Sequence, residues 1–129
     1  MGYIARVIVL ANTVKANLRE IREAIKIDEY NDIIITHNNT KITIIVDGEL
    51  HWGIYVEKGK EEKLFIGGRS IYYSLKTKNE ELKIDYKFDS PLSEDPLECA
   101  NEEYLIDFVK QIIQGKSLLE SALEYLPNY

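Results

Sequence analysis

Over residues 33–88 the chain runs as short apolar-alternating segments, each cut off by Gly, Asn or a charged turn before a helix could complete itself, and this alternation constrains the fold most. Residues 33–35 lead into Asn38-Asn39 and then into 40–46, the pattern of two strands joined by a two-residue hairpin whose asparagines tolerate positive φ. With those asparagines as the loop, His37 faces Thr40, Ile35 faces Ile42 and Ile33 faces Ile44, so the apolar sets share one face.

Parity carries the argument through the next turn. A two-residue loop at Asp47-Gly48 would set Ile44 opposite His51 and send Leu50, Trp52, Ile54 and Val56 to the wrong face, so the loop must be odd. A three-residue turn with Gly48 left-handed in a bulge is expected, pairing Ile44 with Leu50 and Ile42 with Trp52. A short strand at 63–66 follows, Gly67-Gly68 breaks or bulges the chain, and Ile71, Tyr73 and Leu75 then alternate with polar partners. A hairpin at Lys78-Asn79 sets Leu75 opposite Leu82, Tyr73 opposite Ile84 and Ile71 opposite Tyr86, with Lys83, Asp85, Lys87 and Asp89 toward water.

The flanks differ from this meander. Residues 3–11 are rich in β-branched side chains (Ile4, Val7, Ile8, Val9) and are expected as a first strand, ending at Asn12-Thr13. Val14, Leu18, Ile21 and Ile25 then recur at helical spacing, predicting a helix that stops near Asp28. Pro91 and Pro96 mark 90–100 as a connection. From Asn101 the apolar positions Tyr104, Leu105, Phe108, Val109, Ile112 and Ile113, continued by Leu118, Leu119, Ala122, Leu123 and Leu126, predict a long C-terminal helix that Gly115 either kinks or splits. One α+β domain over 1–129 results, in the order strand, helix, meander of about six short strands, helix, with the sheet curled around the C-terminal helix.

Charge and chemistry narrow the function. A formal net charge of -6 repels phosphate backbones, and Arg19, Arg22 and Lys26 interleave with Glu20 and Glu23 like a solvated helix face, so no nucleic-acid partner is expected. One cysteine, Cys99, rules out an internal disulfide and, with two histidines, falls short of a structural zinc site, which suits a reducing, cytoplasmic setting. No signal-peptide pattern and no membrane-spanning apolar run occur, and the abundance of Ile, Lys, Glu and Tyr over Gln is a thermophilic bias. Motifs for nucleotide, metal or nucleophile chemistry are missing: Gly67-Gly68-Arg69 lacks the strand-loop-helix setting of a phosphate cradle, His37 and His51 read as solvated hairpin ends, and Cys99 reads as an inert thiol. Neither a metal nor a cofactor is expected.

The order of elements resembles the helix-grip proteins, which include START lipid-transfer domains, the birch pollen allergen and polyketide cyclases. An opening strand running into a helix (5–25), the uninterrupted meander (33–88) and the helix from Asn101 carry the likeness, and more narrowly the chain is similar to small archaeal START-like proteins. The resemblance implies binding of a hydrophobic small molecule, such as a lipid, isoprenoid or polycyclic compound, between sheet and helix.

On that reading Trp52, Ile54, Tyr73, Leu82, Ile84 and Tyr86 from the sheet, with Tyr104, Leu105, Phe108 and Ile112 from the helix, line the ligand site. The alternative is a structural or partner-binding module with a filled interior that acts as a homo- or hetero-oligomer. A third reading is a cyclase- or hydrolase-type enzyme in which one buried acid or tyrosine works without a motif.

Overall fold

A computed structural model describes residues 3–46, 52–67, 70–87, 102–124 and 126. Its centre is a curled antiparallel sheet of seven strands, each beside its neighbour in sequence. These are β1 (Ile25–Ile27), β2 (Ile33–His37), β3 (Thr40–Val46), β4 (Trp52–Lys58), β5 (Glu62–Gly67), β6 (Ser70–Lys76) and β7 (Glu81–Lys87). Helix α1 (Tyr3–Asn17) and a 3₁₀ turn (Arg19–Ala24) precede the sheet, and α2 (Glu102–Ile113) and α3 (Leu118–Glu124) follow it.

Two hairpins match their expected registers. Asn38 and Asn39, at φ 44° and 62°, form the left-handed pair that turns β2 into β3 and sets Ile35 against Ile42 and Ile33 against Ile44. Strands β6 and β7 pair Ile71 with Tyr86, Tyr73 with Ile84 and Leu75 with Leu82. Behind their Lys78-Asn79 tip the Thr77 N–H donates to the Glu80 carbonyl at 2.8 Å.

Between β3 and β4 the parity holds but the register is four residues away from expectation. Ile44 faces Ile54 and Val46 faces Trp52, whereas Leu50 and Trp52 had been assigned to Ile44 and Ile42. The connection therefore spans five residues, 47–51, and the expected bulge at Gly48 lies outside the described residues. A shift of four leaves every side chain on its face, so alternation alone cannot detect it. Gly67 pairs with Ser70 across a tight connection, and Gly68 and Arg69 lie outside the described residues.

The amino-terminal flank is where expectation fails. Residues 3–11 belong to α1 and not to a strand, because Val7, Leu10, Ala11, Val14 and Leu18 recur at i, i+3, i+4, i+7 and i+11 and are all buried. Thr13 lies within the helix, where its Oγ1 donates to the Val9 carbonyl at 2.9 Å, and Asn17 Nδ2 donates to the Thr13 carbonyl at 2.8 Å. The helix predicted from Val14 ends at Asn17. Ile25, counted in its stripe, instead pairs with Ile35 as the start of β1, where it is 2% exposed.

The single long C-terminal helix is also replaced, by two short ones. Gly115, at φ 102°, is the left-handed residue of a Schellman motif: the Lys116 N–H reaches the Gln111 carbonyl at 2.9 Å and the Gly115 N–H the Ile112 carbonyl at 3.0 Å. Lys116 then joins the helices, its Nζ donating to Gln111 Oε1 at 2.9 Å and to both Glu124 carboxylate oxygens at 2.8 Å. Ser117 Oγ accepts from the Glu120 N–H, capping α3, which packs on β5 and β6.

One continuous apolar core joins the sheet's inner face (Ile33, Ile35, Ile42, Ile44, Ile54, Val56, Leu64, Ile66, Ile71, Tyr73) to α1, α2 and α3.

Candidate functional site

The residues expected to line a ligand site divide into three groups. Ile54, Tyr73, Leu105, Phe108 and Ile112 are buried together in the core, at 8% exposure or less. Leu82, Ile84 and Tyr86, all on β7, are less covered: Ile84 and Tyr86 are half-buried and Leu82 is 42% exposed. Trp52 pairs with Val46 and Tyr104 lies within α2, but the side chains of both fall outside the described residues. Among the described residues no cavity shows between sheet and helices, and three pockets on the described surface are open grooves.

Tyr73 has a polar partner at the rim of that core. Its hydroxyl donates to Glu62 Oε2 at 2.5 Å, and burial first, then the bond to a charged carboxylate, raise the phenol's pKa, so it stays protonated. A phenol held this way is a structural donor and a poor general base.

Chemistry gathers instead on the surface formed by α1 and the 3₁₀ turn. Helix α1 is apolar almost all round: with Val7, Leu10, Ala11 and Val14 in the core, Ile4, Ile8 and Val9 stand outward at 55%, 46% and 49% exposure. Ile4, Ile8, Asn12 and Ala16 follow one another at i, i+4 intervals, and the last two line an open groove of about 740 Å³ where α1 meets the turn and β1. Lys15, Arg19, Arg22 and Lys26 line the same groove, with Glu23 as its one acid. Among the described residues none of the four basic side chains makes an ion pair or a side-chain hydrogen bond.

Sequence reasoning missed this groove because it assumed an α-helix there. Residues 19–24 are instead 3₁₀ with a kink at Ile21 (φ -122°, ψ 15°), and there Arg19, Arg22 and Glu23 line the groove while Ile21 and Ala24 are half-buried.

The convex face of the sheet is the other aromatic surface. Tyr55, Phe65 and Tyr72 stand in one cross-strand row, all half-buried. They are partly spent on their own neighbours: the Phe65 ring lies over Gly53, where an added Cβ would meet it at 3.2 Å, and Lys83 Nζ sits 5.7 Å from the Tyr72 ring centre.

His37 lies at the β2–β3 hairpin end beside the Asn38 amide, as a solvated hairpin end should. His51 and Cys99 lie outside the described residues, and no helix of the described residues is long and apolar enough to cross a membrane. No family model, no curated protein and no solved structure matches this chain.

Proposed function

We propose that this protein is a partner-binding module with a filled interior, working as an oligomer of its own chain through the outer face of α1. The observation that carries the reading is that face. An outward helix face this apolar belongs in an interior, yet Ile4, Ile8 and Val9 are about half exposed. Covering what remains open would contribute on the order of 1 kcal/mol for each side chain. The convex aromatic row competes poorly, because its rings already pack on Gly53 and Lys83.

Size-exclusion chromatography with light scattering tests the reading. The wild-type chain should run at a multiple of 14.9 kDa, and Ile8→Glu should return it to a monomer with unchanged circular dichroism. A wild-type monomer at every concentration reached would refute it.

A second reading, a carrier of a hydrophobic small molecule as the helix-grip resemblance implies, draws support from one place. The inner face of β7 keeps Leu82 at 42% exposure beside half-buried Ile84 and Tyr86, an apolar strip that a ligand could cover.

A further inference from the structure

The groove beside the α1 face specifies the chemistry of what docks there. Four cations line it, three of them exposed, and among the described residues none of them is in an ion pair, with Glu23 inside the groove and Glu20 beside it. In a chain of net charge -6 this concentration reflects a division along the sequence. Residues 3–27 carry five basic and two acidic side chains, a balance of +3, and residues 28–129 carry 11 basic and 20 acidic, a balance of -9. Between Lys87 and Lys110 there is no basic residue at all, while Asp89, Glu94, Asp95, Glu98, Glu102, Glu103 and Asp107 supply seven acids.

We infer that the groove receives this acidic stretch from a second copy of the chain. The inference deepens the proposed function and rests on it: the apolar face of α1 supplies the dry part of the interface and the groove its charged margin. Opposite poles on one chain make two copies complementary without a second gene product. Rim charges of this kind act on partner choice, association rate and salt dependence. The groove is open and large enough for a chain segment, and Lys15, Arg19, Arg22 and Lys26 offer donors to carboxylates along it.

Sedimentation equilibrium on the full chain tests this with a charge swap. Raising salt from about 0.05 M to about 0.5 M should weaken self-association by about tenfold or more, as the Debye length falls well below the groove's dimensions. Arg19→Glu with Arg22→Glu should weaken it by about tenfold at low salt, and Glu94→Lys with Asp95→Lys should do the same. Mixing those two double variants should restore part of the association, because the unaltered groove of one then meets the unaltered acidic segment of the other. Arg19 and Arg22 are exposed, so the fold is expected to survive their replacement, and circular dichroism checks it.

If self-association is salt-independent and indifferent to both double variants while Ile8→Glu abolishes it, the acidic occupant is wrong and the apolar interface stands. If the wild-type chain never associates, both fall. A monomer that binds inorganic phosphate or anionic vesicles through Arg19 and Arg22 would also overturn the inference, by giving the groove a different occupant.

Discussion

Asp28 and Asp32 close the turn between β1 and β2, and the two carboxyl groups do opposite work. Asp28 Oδ1 accepts from the Tyr30 N–H at 2.9 Å and the Asp32 N–H at 3.0 Å, while Asn31 takes the left-handed position at φ 63°. Among the described residues the Asp32 carboxylate gains no such donors: burial, then the charge of Asp28, raise its pKa above the ordinary carboxylate value. A folded-state pKa above the unfolded one means that the native state holds the proton more firmly. Stability therefore falls as pH rises from the unfolded pKa through the raised folded one, and is regained on acidification. Asp32→Asn removes this cost, so the variant should be more stable than wild type in urea at neutral pH, with the difference closing near about pH 4. A variant less stable at neutral pH would show that the Asp32 carboxylate has a favourable role.

At the scale of elements, Gly115 decides how the C-terminal segment ends. Nothing lies within 4 Å of a Cβ built there, so the obstacle to a side chain is the backbone at φ 102° alone. Gly115→Ala should cost about 1 to 2 kcal/mol of unfolding free energy through that conformation. Chemical denaturation measures it, and a neutral or stabilising outcome would mean that α2 and α3 can merge into the single helix their apolar spacing suggests.

The same scale shows what the sequence makes legible. The hairpins at Asn38-Asn39 and Lys78-Asn79 can be read residue by residue, because a two-residue tip and a half-buried face leave one register for each. The β3–β4 connection yields only its parity, since shifting by four residues preserves both faces. Helix α1 is hidden by its own composition. Ile4, Val7, Ile8 and Val9 favour a strand by local preference, and packing of Val7, Leu10, Ala11 and Val14 against the core overrides it. The basic groove stayed illegible for a related reason. Its residues are visible in the chain, but their convergence depends on the kinked 3₁₀ segment between Arg19 and Ala24 and on β1 drawing Ile25 into the sheet.

For the whole molecule, we propose that the interior is filled and that function lies on the surface of α1 and its groove. Ile54, Tyr73, Leu105, Phe108 and Ile112, the residues placed for an internal ligand, all belong to the one buried core. Native mass spectrometry of the purified protein under gentle ionisation tests both halves of this claim at once. The expected result is a species at two or more times 14.9 kDa with no additional mass. A single chain carrying the added mass of an apolar compound would contradict it, and would give the exposed strip on β7 the role assigned here to α1.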